Sequence, residues 1–160
     1  MENFCGENVL EQLEQTGKAV LETRKPEDTY ALGKCLGEAA HEGQVCTLIG
    51  DLGAGKTVFT KGFGAGLGVE EPVNSPTFTI LQIYEGGRLP FYHFDVYRIA
   101  DVEEMEEIGY EECFYGDGVS LIEWADMIEE ILPEQYLRIT LEKDLEQGFD
   151  YRRITLQRIG

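Results

Sequence analysis

Apolar residues recur along the chain in runs that predict alternating strands and helices. Gln44–Ile49 is rich in β-branched residues and predicts a buried strand. After a short glycine-rich segment, Val58, Phe59, Phe63 and Leu67 follow at helical spacing. This part of the chain therefore predicts a strand, a loop and a helix in that order.

A second helix is predicted upstream, with Pro26 in its first turn and Gly43 at its end. Proline is favoured in the first turn of a helix, and glycine just after the last. Five residues would share one face and pack on the sheet: Leu32, Cys35, Leu36, Ala39 and Ala40.

Further runs predict the remaining strands. Leu89–Phe94 is almost entirely apolar, and Gly86–Gly87 would join it to a preceding strand as a hairpin-like insertion. Val119–Ile122 predicts another buried strand. Near the end, Leu137–Leu141 and Ile154–Leu156 alternate in polarity and predict an antiparallel hairpin at one edge. We expect one α/β domain with a mostly parallel central sheet flanked by helices.

The composition excludes several classes of protein. Thirty-one acidic and 13 basic residues give a net charge of −18 over 160 residues, a field that repels polyanions, so we expect no unaided binding of RNA or DNA. The chain has neither the apolar run of about 18 residues that a membrane helix needs nor a secretory signal, so we expect a cytoplasmic protein with no membrane contact. Four widely spaced cysteines are expected to stay reduced: Cys5, Cys35, Cys46 and Cys113.

The glycine-rich segment has the spacing of a phosphate-binding P-loop. Gly50, Gly55, Lys56 and Thr57 fit G-x-x-x-x-G-K-[ST]. Glycines let backbone amides close around a phosphate, and the start of the helix adds the positive end of its dipole. Lys56 would reach the β- and γ-phosphates of ATP, and Thr57 would bind Mg²⁺. The residues expected to contact the nucleotide are Gly50, Asp51, Leu52, Gly53, Ala54, Gly55, Lys56, Thr57 and Val58.

This motif makes the expected fold P-loop NTPase-like and calls for further groups at the same sheet edge. Asp95 follows the strand Leu89–Phe94 and is a candidate metal ligand; the alternative is an exposed turn carboxylate. His93 in that strand is interpreted as a packing residue. Thr77 lies where nucleotide switches keep a γ-phosphate sensor, although Ser75 and Pro76 could simply begin a strand.

Glu123 ends the strand Val119–Ile122 and would face the same edge as Asp95. It is a candidate to orient or deprotonate the attacking water and to bind the metal, with a purely structural placement as the alternative. Trp124 could pack near the nucleotide, although a packing role in the core or at the rim is the default expectation. The candidate catalytic residues are Lys56, Glu123 and Thr77, and the candidate metal ligands are Thr57, Asp95 and Glu123.

Together, GDLGAGKT, PVNSPTFTI, YHFDVYR and IEWAD resemble the TsaE family of bacterial ATPases in order and spacing, from about Ala19 to Leu141. The resemblance implies an ATPase, slow without partners, that uses ATP and Mg²⁺ and is required for threonylcarbamoyl modification of adenosine (t6A) in tRNA. It implies nucleotide-dependent docking on TsaD and TsaB homologues, which carry out the transfer. It also implies an ATPase domain at 19–160, preceded by an extension at 1–18 that is either helical or flexible.

Other interpretations stay open. A small-molecule or nucleotide kinase uses the same P-loop, a GTPase would need an N-K-x-D-like base reader that the chain lacks, and a nucleotide-independent scaffold would not bind ATP. Arg98 could stabilise transition-state charge or pair with nearby acids, and we favour the pairing.

Two sets of charged residues are expected to have structural roles. The pairs Asp101 with Glu104 and Asp126 with Glu129 fit the spacing of a capping box and are expected to start helices. Four arginines near the end lie among acidic residues and are expected to form a solvated, charge-balanced face: Arg138, Arg152, Arg153 and Arg158.

Overall fold

The computed structural model describes residues 7–51, 53–74, 76 and 79–160. The α-helices are α1 (Glu7–Thr16), α2 (Pro26–Ala39), α3 (Lys56–Gly66), α4 (Glu103–Glu107) and α5 (Tyr110–Phe114), and a 3₁₀ helix spans Ala125–Ile131. The strands are β1 (Lys18–Thr23), β2 (Val45–Gly50), β3 (Leu81–Tyr84), β4 (Phe91–Asp95), β5 (Val119–Glu123), β6 (Tyr136–Lys143) and β7 (Arg152–Ile159).

The strands form one seven-stranded sheet in the order β1-β7-β6-β2-β5-β4-β3. Strands β6, β2, β5 and β4 are parallel neighbours, whereas β3 pairs antiparallel with β4, and β1 and β7 continue the other side as antiparallel strands. The predicted α/β fold with a mostly parallel centre is therefore confirmed. The β6–β7 hairpin also forms, but its placement at the edge was wrong, because β1 pairs with β7 and takes that position.

Buried residues fill two layers, one on each face of the sheet. The first layer joins the sheet to α1, α2 and α3 and contains Leu13, Leu32, Phe59 and Phe63. The second lies under α4, α5 and the 3₁₀ helix and includes Phe94 and other apolar residues from β4 and β5. Adjacent residues of one strand point to opposite faces, so β4 and β5 contribute side chains to both layers.

Helices α2 and α3 touch backbone to backbone. A Cβ added at Gly33 would collide with the carbonyl oxygen of Phe59, and one added at Gly62 would collide with that of Tyr30. Glycine is therefore required at these points of helix crossing, despite its low helix propensity. The predicted face of α2 is otherwise buried, but Ala39 is exposed and the helix ends there, before Gly43, which has a φ of 82°.

The predicted capping residues behave differently at their two sites. Before α4, the Asp101 carboxylate accepts from the Glu103 amide at 3.0 Å, and the Glu104 carboxylate accepts from the Asp101 amide at 3.2 Å, as predicted. The helix Ala125–Ile131 instead begins without a side-chain cap, and Asp126 lies inside its first turn. The expected second capping box was therefore wrong.

The cysteines also differ from one another. Cys46 and Cys113 are free and buried, whereas Cys35 is disulfide-bonded, so the prediction of four reduced cysteines was wrong for Cys35. Cys5 lies outside the described residues. Throughout the described ranges, every helix is too short or too polar to cross a membrane.

Candidate functional site

The P-loop follows the carboxyl end of β2 and leads directly into α3. Strand β2 ends at Gly50 and the helix begins at Lys56, so the predicted order of strand, loop and helix is confirmed. Gly53 and Gly55 have φ values of 81° and 99°, in the left-handed region that glycine adopts without a Cβ penalty. Leu52 lies outside the described residues.

Two carboxylates lie at the ends of the neighbouring strands. Asp95 and Glu123 are direct partners in the parallel register of β4 and β5. Each is 8% exposed, so Asp95 is not the exposed turn carboxylate of the alternative interpretation. Because strand side chains alternate, both lie on the face that also carries Phe91, whose side chain packs against Phe63 of α3. The predicted meeting of these carboxylates at the carboxyl edge is confirmed.

Lys56 connects the P-loop to this carboxylate pair. Its ammonium lies 3.9 Å from Glu123 Oε1 and 4.6 Å from the centroid of the Trp124 ring. Only 11% of the lysine side chain is exposed. Salt screens a partly buried charge less than a surface charge. The ion pair with Glu123 therefore helps to hold the lysine ammonium beside the P-loop.

His93 is the second partner of Glu123. Its Nε2 lies 2.9 Å from Glu123 Oε2, and its ring stacks on Phe91 with centroids 5.8 Å apart. The residue is 1% exposed, and its Nδ1 has no hydrogen-bond partner among the described residues. The interpretation of His93 as a packing residue was therefore incomplete. The signal was its position two residues before Asp95, on the same face of the strand.

The chain leaves β5 through a strained turn at Trp124. This residue has a φ of 63°, which is unfavourable for a bulky side chain and is retained only where the surroundings impose it. The centroid of its ring lies 4.8 Å from that of Tyr97, and the residue is 37% exposed, consistent with the predicted position at the rim. The backbone amide of Tyr97 donates to Asp95 Oδ1 at 3.1 Å, which helps to orient that carboxylate.

Arg152, at the start of β7, reaches the P-loop from the opposite side. Its Nε donates to the carbonyl oxygen of Ala54 at 2.8 Å and its Nη2 to that of Gly53 at 3.1 Å. The prediction of a solvated, charge-balanced face was wrong for this residue. It holds for Arg153, which is 53% exposed and pairs with Glu142 at 3.3 Å.

These groups surround a cavity of about 720 Å³, within the range of small-molecule sites. The cavity is lined by Pro26, Thr29, Gly53, Gly55, Lys56, Thr57, Val58, Asp95, Tyr97, Glu123, Trp124, Asp150 and Arg152. Pro26 and Thr29 at the start of α2, together with Asp150 and Arg152, were absent from the predicted site.

Thr77 and Arg98 are the other candidates from the sequence. Thr77 and Ser75 lie outside the described residues, so the proposed sensor stays a prediction. Arg98 is exposed and is not among the residues that line the cavity.

Comparisons with known proteins agree with this architecture. The family model described as "Threonylcarbamoyl adenosine biosynthesis protein TsaE" matches residues 23–154. The tRNA threonylcarbamoyladenosine biosynthesis protein TsaE of Bacillus subtilis is 51% identical over 138 residues, which cover 86% of this chain and 84% of that protein. The protein of the same name from Treponema pallidum is 47% identical, with 74% of this chain and 87% of the relative covered.

A solved structure is also similar over most of its length. The crystal structure titled Bacillus subtilus YdiB superposes with a TM-score of 0.77 at 45% sequence identity, covering 89% of this chain and 86% of that one. This identity is high enough for the likeness to concern sequence as well as fold. With the family match over residues 23–154, the chain belongs to the TsaE family of threonylcarbamoyl adenosine biosynthesis proteins.

Proposed function

We propose that this protein is a Mg²⁺-dependent ATPase that serves threonylcarbamoyl modification of adenosine in tRNA. The observation that carries the proposal is the position of Glu123, which is register partner to Asp95, bonded to His93 and 3.9 Å from the P-loop lysine, Lys56. A buried carboxylate held beside a phosphate-binding loop suits the activation of water near a terminal phosphate. The family membership supports the pathway.

The loop and Lys56 would bind the phosphates. Gly53 and Gly55 adopt left-handed backbone conformations, which allow successive amides to face an anion. Lys56 begins α3, so its ammonium and the amino end of the helix act on the same ligand. These local positive groups offset the repulsion that a net charge of −18 exerts on a triphosphate.

The donor set fits a magnesium ion. Among the described residues, no group of three or more His, Cys, Asp or Glu side chains converges as a metal cage. Mg²⁺ does not need one, because it keeps several waters and takes one or two protein oxygens together with substrate phosphates. Thr57, Asp95 and Glu123 line the same cavity and would supply those oxygens. When bound, the ion would neutralise charge on the phosphates.

His93 supports Glu123 in this proposal. With Nε2 at 2.9 Å from Oε2, the buried imidazole fixes one carboxylate oxygen and leaves the other facing Lys56. A fixed carboxylate loses less orientational freedom when it positions a water for in-line attack. Thr77 stays the proposed γ-phosphate sensor.

We further propose that the protein acts in the cytoplasm with homologues of TsaD and TsaB, and that its nucleotide state controls docking. The names of its relatives place those proteins in tRNA threonylcarbamoyladenosine biosynthesis. A net charge of −18 favours a basic protein surface as the docking partner and disfavours direct, unaided binding of tRNA.

Calorimetric titration with ATP and GTP, with and without Mg²⁺, tests nucleotide binding, and a phosphate-release assay tests hydrolysis. We expect ATP binding that Mg²⁺ strengthens, and free phosphate released without an acceptor. Lys56→Ala should abolish turnover with an unchanged circular dichroism spectrum, because the lysine acts electrostatically. The matched control is Lys61→Ala, which alters an exposed lysine five residues further along α3.

Three outcomes would contradict the proposal. No ATP binding by the wild-type protein would indicate a nucleotide-independent scaffold. Phosphate transfer to an added metabolite, without release to water, would indicate a kinase. Equal binding of TsaD and TsaB homologues with ATP, with ADP and without nucleotide would exclude nucleotide-controlled docking.

A further inference from the structure

We propose that Arg152 is a positioning residue of the nucleotide site, which holds the P-loop in its binding conformation through main-chain carbonyls. This inference rests on the proposed nucleotide binding and concerns a residue outside the P-loop motif. The contacts are direct: Nε donates to Ala54 O at 2.8 Å, and Nη2 donates to Gly53 O at 3.1 Å. Two donors of one rigid guanidinium therefore hold two consecutive carbonyls.

Arg152 is itself held in place. Its Nη1 donates to the carbonyl oxygens of Phe149 at 2.9 Å and Tyr151 at 2.7 Å, in the segment that leads into β7. The guanidinium thus joins the β6–β7 connection to a loop far away in sequence. A side chain fixed at both ends acts as a rigid brace and needs little reordering when a ligand arrives.

Holding these carbonyls also constrains the amides that would face a phosphate. In a planar trans peptide the C=O and the following N–H point in opposite directions. Fixing the carbonyl of Ala54 therefore fixes the direction of the Gly55 amide. Because Gly53 and Gly55 are the residues with the greatest backbone freedom, the loop without this brace would lose more entropy on binding.

Arg153 provides a natural comparison. It follows Arg152 in the same strand but points to the other face, where it pairs with Glu142 and stays 53% exposed. Both residues have the same charge and the same sequence context. If the same substitution has different effects at the two positions, the difference is due to the P-loop contacts of Arg152, because both variants lose one positive charge.

The alternative role for an arginine that lines the cavity is direct contact with the terminal phosphate during hydrolysis. The two roles predict different measurements. A brace acts on the loop that holds every phosphorylated ligand, so its loss weakens ADP and ATP by the same factor. A transition-state contact lowers the turnover rate and leaves the affinity for ADP unchanged.

The first experiment compares Arg152→Met, Arg152→Lys and Arg153→Met in calorimetric titrations with ADP and ATP in the presence of Mg²⁺. Methionine keeps most of the apolar stem and removes the donors. We expect Arg152→Met to weaken both nucleotides equally, by about tenfold or more, because bonds from a charged donor are lost. Arg152→Lys should recover part of the affinity, and Arg153→Met should stay within about twofold of wild type.

The second experiment needs no nucleotide. Hydrogen exchange of the ligand-free protein should be faster at the amides of Gly53–Lys56 in Arg152→Met, and unchanged there in Arg153→Met. Circular dichroism and thermal unfolding establish that each variant is folded, and Arg152→Lys provides a second test should Arg152→Met unfold.

Unchanged loop exchange together with unchanged ADP affinity in Arg152→Met would overturn the proposal. So would a lower turnover rate with unchanged ADP affinity, which would assign Arg152 to the phosphate itself. If the wild-type protein binds no nucleotide, the proposed function fails, while the exchange experiment still decides whether Arg152 holds the loop.

Discussion

The two walls of the cavity come from strands that run in opposite directions. Glu123 and Asp95 lie at the carboxyl ends of the parallel strands β5 and β4. Arg152 lies at the amino end of β7, opposite Lys143 at the carboxyl end of the antiparallel partner β6. Since β6 is parallel to β2, the start of β7 reaches the same sheet edge as the P-loop.

The direction of a strand determines whether its site residue can be recognised from a sequence motif. In a parallel strand, a site residue follows an apolar run, as Asp95 follows Phe91–Phe94. In the antiparallel strand it precedes the run, so Arg152 stands among the charged residues of a connecting loop. The acidic wall would serve the proposed reaction, whereas the arginine of the other wall would serve the loop that we propose binds the phosphates.

The strongest test of this comparison is Glu123→Gln. Glutamine keeps the shape of the side chain but cannot accept a proton, so phosphate release should fall about a hundredfold or more, with ADP affinity in the absence of Mg²⁺ nearly unchanged. Single-turnover phosphate release and ADP titration would be measured together. Glu130→Gln, at an exposed position in the 3₁₀ helix, is the matched control and should behave as wild type.

The opposite pattern of turnover and affinity would contradict the division of roles between the two walls. If Glu123→Gln weakened Mg²⁺-free ADP binding but left turnover at saturating ATP intact, Glu123 would act in nucleotide binding and not in the reaction. The two walls would then share that role.

The sequence alone correctly predicts those parts of the site in which a chemical motif directly follows a regular apolar pattern. The P-loop, Asp95 and Glu123 are of this kind, because each follows an apolar strand and belongs to a motif. His93 and Arg152 are not, because their roles depend on contacts across neighbouring strands. Strand β1 likewise pairs with β7 at the far end of the chain, a long-range pairing that local patterning does not encode.

The helix that follows the P-loop packs against α2 and against Phe91 of β4, and Gly62→Ala tests the contact with α2. The added methyl group would collide with the carbonyl oxygen of Tyr30 on α2, so α2 and α3 must separate. We expect the free energy of unfolding to fall by about 1–3 kcal/mol, as for other overpacked cores. Urea unfolding would measure it. Gly86→Ala is the control, since an added Cβ there meets no atom within 4 Å.

A loss of stability in Gly62→Ala with unchanged nucleotide affinity at low temperature would show that the α2–α3 contact has a purely structural role. A loss of affinity in a fully folded variant would instead show that the α2–α3 contact positions the P-loop. An unfolding free energy equal to that of Gly86→Ala would contradict the backbone contact.

The parallel half of the sheet is also expected to be the more sensitive to alkaline pH. Burial raises the pKa of Cys46, on β2, from 9.0 to about 12, and burial likewise raises the pKa of Cys113, on α5 behind β5, to about 11. In the unfolded chain these thiols ionise near pH 9.0, whereas in the folded protein they stay protonated. Their contribution to stability is therefore complete below pH 9.0 and is lost as the pH rises towards 11 or 12.

Urea unfolding of wild type and Cys46→Ala, compared between neutral and alkaline pH, isolates this effect. The variant loses stability at every pH because it leaves a cavity, so the informative quantity is the further decline above pH 9.0. We expect that decline to be shallower in Cys46→Ala but not absent, since burial also raises the pKa of Tyr92 and Tyr110, and a hydrogen bond with Glu22 raises that of Tyr151 beside β7. Cys113→Ala should show a smaller change than Cys46→Ala, because its pKa is raised less. If wild type and Cys46→Ala lose the same amount of stability above pH 9.0, alkaline unfolding begins elsewhere. Ionisation of Cys46 would then not make the parallel half more sensitive to alkaline pH.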